Sequence, residues 1–193
     1  MKLLAIAAAL LALQPQPGSS QAPPAPSDAL VERFIAALPD RDEIAKAAGE
    51  IDQAELSRLA GLNPGKESRV RAVLQSNLAC SGPATVAGSL RMLRTIARNL
   101  GSATVQKLTS FYEGPDYAAF AALAARMEGE AKPSAADSAA LEKMMAAYPL
   151  EAFREQLSRA EEIFAADEAF MEAAVKCATE QLEALEAAGL KAN

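Results

Sequence analysis

The chain has 193 residues, 25 acidic against 19 basic, with no His, no Trp and a net charge of −6 at pH 7. Absence of His excludes Ser-His and Cys-His nucleophile systems, the common zinc enzyme sites and His-ligated haem, and two Cys alone build neither a structural zinc nor an iron–sulfur site. The acidic balance argues against a nucleic-acid partner, because phosphate neutralisation requires a clustered excess of Lys and Arg.

Lys2 followed by an unbroken apolar run over 3–13 reads as a secretory signal. Gln14 and Pro15 stop that run well short of the roughly 20 apolar residues that a membrane span needs. Gly18 with Ser20, or Ser20 with Ala22, are the small-residue pairs that suit cleavage, and Pro23 after Ala22 favours Ser20. The expected organisation is therefore a signal peptide over 1–20, a Pro-rich linker over 21–27 and one domain over 28–193, exported to the periplasm. Ala dominates, Val and Ile are sparse, and no stretch alternates with period two. The expected fold is all-α: a single compact multi-helix domain of mostly antiparallel packed helices.

Along the domain, Ser27 or Asp28 caps a first helix whose Val31, Phe34 and Ile35 share a face, and Pro39 ends it. Two short helices are expected over 40–62, closed by Asn63, Pro64 and Gly65. A helix over 66–79 follows. Ser81, Gly82 and Pro83 predict a break, with Pro83 opening a new helix to Leu100 and Gly101 stopping it. Ser102 begins a short helix ending at Gly114, and Pro115 opens the next, which runs to Met127. After a polar loop, Asp137 or Ser138 caps a helix to Tyr148. Pro149 interrupts or kinks it before a segment over 150–164, and the last helix spans 167–188.

Two Cys in an exported chain are most simply a disulfide, here Cys80 to Cys177, fastening the last helix to the N-terminal half. Buried free thiols are the alternative. Arg91, Arg94 and Arg98 recur at i, i+3, i+7 and form a candidate anion-binding stripe for a phosphate-bearing lipid or glycan; the ordinary reading is a solvated stripe or one paired with acidic neighbours. Residues 28–110 hold 11 basic and 9 acidic residues while 111–193 hold 7 and 16, so an acidic surface is at hand. Within it Glu161, Glu162, Asp167 and Glu168 cluster, and a glycosidase-like pair is conceivable there, against the ordinary reading of outward-facing helix charges. Met127, Met144, Met145 and Met171 with Phe120 form a candidate adaptable groove, with core filling as the default. The glycines stand singly at helix ends, so no phosphate loop is expected and no cofactor.

The stretch 104–123, with Phe111 and Tyr112 closing one helix and Gly114 and Pro115 turning into the next, resembles a bacterial family known as domain of unknown function twenty fifty-nine. Phe120 matches the apolar position after the turn, while Tyr117 and Ala119 stand where that family has Gly and Lys. The resemblance implies an exported helical protein and names no activity. On these grounds the expectation is a non-catalytic periplasmic binding or scaffolding module, whose partner is an envelope protein or an amphipathic ligand. The alternatives are a carrier of a small apolar or amphipathic ligand between helices and, further off, a carboxylate hydrolase.

Overall fold

A computed structural model describes residues 24–39, 41–128 and 134–193. The signal segment 1–20, the start of the linker and the side chain of Met127 lie outside the described residues. The described chain is helical throughout, with ten helices and no strand among those residues. In chain order they are α1 Asp28–Ala37, α2 Arg41–Ala48, α3 Gln53–Leu62, α4 Glu67–Leu100, α5 Ser102–Glu113, α6 Pro115–Glu128, α7 Ala135–Ala147, α8 Leu150–Ser158, α9 Ala160–Ala165 and α10 Glu168–Ala187.

The punctuation that the sequence carries is used at most ends. Ser27 Oγ accepts from Leu30 N at 3.3 Å, and Asp52 Oδ1 accepts from Ala54 N at 2.8 Å, so both supply the acceptors that a helix start lacks. At the far end Gly189 turns with φ +63° and Leu190 N donates to Leu185 O at 2.9 Å, folding Leu190 back into the core. One cap differs from expectation. Ser134, rather than Asp137 or Ser138, caps α7, accepting from Asp137 N at 3.1 Å.

The expected break at Ser81, Gly82 and Pro83 does not occur, and α4 runs for 34 residues with Pro83 inside it. Pro83 removes the N–H that would bond the Ala79 carbonyl, but both residues are exposed, so water can serve the carbonyl. The helix is packed against neighbours on both sides of Pro83. Ala48 at the end of α2 rests on Gly82, where a Cβ would lie 2.9 Å from the Ala48 carbonyl oxygen, and the ring of Phe170 rests on Gly88. Cys80 therefore sits in mid-helix rather than at a helix end. The segment 150–164 departs the other way, dividing at Arg159 into α8 and α9.

At about 1.5 Å per residue α4 is a shaft of about 50 Å, and α1, α2, α3, α5, α8, α9 and α10 all pack on it. Pairs along α10 run backwards against those on α4: Asn77 meets Gln181, Cys80 meets Cys177, Gly88 meets Phe170 and Arg91 meets Asp167. The two helices are antiparallel, as expected. Each end of α4 has its own core. Leu93, Ile96 and Ala97 join Val31, Phe34, Leu108 and Phe153 at the C-terminal end, while Val70 and Leu74 join Leu56, Leu59, Leu185 and Leu190 at the N-terminal end. Between them α4 carries mostly small side chains, and there the surface is hollowed.

Candidate functional site

The hollow is a groove of about 610 Å³ over the middle of α4. Its floor is a stripe of polar or small side chains, Asn77, Ser81, Thr85 and Ser89, spaced by four so that they lie on one helical face. Ile44, Ala47, Ala48 and Ile51 form the wall on the side of α2, and Gln181 of α10 faces them. Asn77 Nδ2 donates to Gln181 Oε1 at 2.7 Å, and Ser81 Oγ donates back to the Asn77 carbonyl at 3.1 Å, so the polar floor is internally bonded. A smaller hollow of about 190 Å³ shares Asn77, Ser81, Thr85 and Gln181 and extends the groove along α10 past Ala174 and Ala178. With Ala47, Glu50, Asp52 and Thr85 exposed, it is an open surface groove.

Beside it α10 presents apolar side chains to solvent. Met171, Val175 and Leu182 are 43, 62 and 54 % exposed. With exposed Ala178 they follow a 4-3-4 spacing, the pattern of a helix–helix seam, and Ala178 lines the smaller hollow. The stripe therefore lies on the groove side of α10. A disulfide keeps it there: Cys80 and Cys177 are bonded with Cα atoms 5.6 Å apart, as the paired cysteines suggested.

The charges that line the groove are acidic. Among the described residues Glu50, Asp52 and Glu55 are the only ionisable ones lining it, and no Lys or Arg does. Asp52 is occupied as the cap of α3, and Arg58, bonded to the Glu55 carboxylate at 2.7 Å, holds Glu55 below the usual carboxylate range. On the outer flank of the stripe Glu168, Glu172, Glu183 and Glu186 have no ion-pair partner among the described residues, and the one cation of α10, Lys176, faces Glu180 at 3.9 Å.

The residues singled out in the sequence are distributed differently. Arg91, Arg94 and Arg98 do share a face of α4, and each meets a carboxylate: Arg91 Nε lies 2.7 Å from Asp167, Arg94 Nε 2.6 Å from Glu32 and Arg98 Nη2 3.1 Å from Asp28. Only Asp167 comes from the acidic half; Glu32 and Asp28 belong to α1. The three arginines tie α1 and the start of α10 to the shaft and do not rim the groove, although Arg91 lines a separate cleft of about 380 Å³ with Arg159 and Glu162. Among the acidic cluster, Glu161, Glu162 and Glu168 are exposed, and Glu162 pairs with Arg159 at 3.1 Å. Asp167 is the half-buried member. The Arg91 guanidinium and the Phe170 N–H that it accepts lower its pKa, which suits a cap and opposes use as a general acid. The methionines do not assemble as expected. Met145 and Phe120 line an aromatic cleft of about 360 Å³ with Phe111, Tyr112 and Tyr117, whereas Met171 belongs to the stripe on α10.

The aromatics at the turn between α5 and α6 pack at its corner, Phe111 lying 5.8 Å from Tyr117 and 5.7 Å from Phe120 between ring centroids. Sequence reasoning missed the groove itself. Its signals were present as small polar residues every fourth position from Asn77 to Ser89 and as the 4-3-4 apolar spacing on α10, but the expected break at 81–83 divided the first pattern between two helices. No protein-family model, curated protein or solved structure matches the chain.

Proposed function

We propose that this chain is an exported, non-catalytic binding or scaffolding module that engages another protein of the cell envelope through the groove between α2, α4 and α10. The observation that carries the reading is the exposed seam Met171, Val175, Ala178 and Leu182 at the groove's edge, on a helix fastened to α4 by Cys80–Cys177. Exposed apolar side chains gathered along one edge of a groove are the usual mark of an interaction surface, whereas singly scattered ones are not. Export draws support from the signal-like pattern over 1–20, from a disulfide, which persists in oxidising compartments, and from the turn at Phe111 to Pro115 that resembles an exported family.

Site-directed photocrosslinking in cells tests the reading. A photoreactive residue at Val175 is expected to give an adduct with one protein, while the same residue at exposed Lys107 on α5 gives none. Absence of any protein adduct at Val175 refutes it. One feature favours a second reading, a carrier of a small amphipathic ligand: about 610 Å³ falls within the roughly 300–1,000 Å³ of ordinary ligand sites. Native mass spectrometry separates the two, since a carrier retains a small added mass that Thr85→Trp, which fills the groove floor, removes.

A further inference from the structure

We infer that the occupant of the groove is a cationic amphipathic helix supplied by the partner protein. This rests on the binding-module reading and goes beyond it by naming what the partner presents. Three observations converge. The seam from Met171 to Leu182 covers about 17 Å of helix at about 1.5 Å per residue, so it matches an apolar face of about three turns on a second helix. Spacing of 4-3-4 is what a helix offers to another helix, since such positions stack in one stripe that a facing stripe can interdigitate with.

Charge selects among helices. On one side of the seam the groove is lined by Glu50, Asp52 and Glu55, of which Arg58 neutralises Glu55 alone, and on the other stand Glu168, Glu172, Glu183 and Glu186 without ion-pair partners among the described residues. A second copy of this chain would bring the same acidic flank against itself, and like charges along a seam oppose pairing. An anionic lipid surface meets the same objection. A helix with Lys or Arg on both sides of an apolar stripe is complementary to both rims at once, as helix-in-groove recognition requires. The polar floor fits this too, because Asn77, Ser81 and Gln181 bond to one another, and the seam together with Ile44, Ile51, Leu74 and Leu78 supplies the apolar contacts.

The test is fluorescence anisotropy of the full chain, in its disulfide form, with a labelled Leu/Lys peptide of about four turns whose Leu residues fall at i, i+3, i+4 and i+7. Saturable binding is expected. It should weaken at least about tenfold with Val175→Lys and Leu182→Lys together, and comparably when Glu50, Glu168, Glu172 and Glu186 are changed to Gln. It should weaken further at about 1 M salt, where the Debye length is about 3 Å. Leu157→Lys, in the aromatic cleft, should leave binding unchanged. Both lysine variants alter exposed positions, and circular dichroism confirms that each remains folded; the Glu→Gln variant supplies an independent arm. No binding overturns the inference, as does equal binding of a peptide of the same composition in scrambled order, which would mean charge attraction alone. Concentration-dependent dimers abolished by Val175→Lys would put a second copy in the groove instead. Failure of the peptide alongside a protein crosslink at Val175 removes only the cationic helix, whereas loss of both removes the binding-module reading as well.

Discussion

At Gly82 two effects of one methyl group oppose each other. Alanine in place of glycine inside a helix ordinarily stabilises by up to about 1 kcal/mol. Here the added Cβ would lie 2.9 Å from the Ala48 carbonyl oxygen, and backbone cannot rotate aside, so overpacking of about 1–3 kcal/mol prevails. Gly82→Ala should therefore lower stability in urea unfolding. Gly61, in α3, has nothing within 4 Å of its would-be Cβ, and Gly61→Ala should raise stability by up to about 1 kcal/mol. A stabilised Gly82→Ala would contradict the close approach of α2 to α4. Sequence marks both residues as glycine and tells nothing of who approaches, which is why Gly82 reads as a break. Asn63 is similar: it reads as a loop residue, yet its buried amide donates to the Leu59 and Lys191 carbonyls at 2.9 Å each, and Lys191 N donates to its Oδ1 at 2.7 Å. That second partner lies 128 residues away and leaves no local signal.

At the scale of helices, caps and apolar spacing made α1, α3, α5, α6 and α10 legible, because a helix end is a local event of a few residues. Continuity of α4 was not legible. A proline inside a helix costs about 3 kcal/mol, and whether neighbours on both sides offset that cost is a tertiary matter. The start of α10 illustrates how ion pairs fasten elements to the shaft. Arg91 and the N–H of Phe170 favour the charged form of Asp167, so its pKa is lower in the folded chain than in the unfolded one. The stability it contributes is then fully present above the ordinary Asp value of about 3.9 and disappears as pH falls through the lower folded value. Melting curves of wild type against Asp167→Asn should differ by a constant amount at neutral pH and converge in acid below about 3.9. A difference unchanged from neutral pH down to strong acid would contradict this role for Asp167.

Over the whole molecule two cores share one shaft, and Cys80–Cys177, joining residues 97 apart, lies between them. In the chain-entropy argument a loop of about 100 residues stabilises by at most about 4.7 kcal/mol, and measured bonds usually give about 2–4 kcal/mol. Reduction should lower the melting temperature while leaving native helix content unchanged, because the loss lies largely in a freer unfolded chain. Equal melting temperatures with and without reductant would count against it. Helical class, the antiparallel arrangement and the cysteine pair were all readable, since composition and the expected oxidising context carry them; the groove was not, because it exists only once α2 and α10 lie on the same stretch of α4. The arginine stripe was readable as a stripe, but which carboxylates from α1 and α10 would meet it was not. On the proposed reading the seam on α10, held by the disulfide, is a protein-binding face of an exported chain. Native mass spectrometry of the protein isolated from the periplasm of its own cells decides between this and its failure. The result expected is a chain lacking residues 1–20, two hydrogens lighter than its reduced form, carrying a protein partner that Val175→Lys with Leu182→Lys removes. A chain retaining Met1, two free thiols, or a partner indifferent to those two substitutions would contradict it.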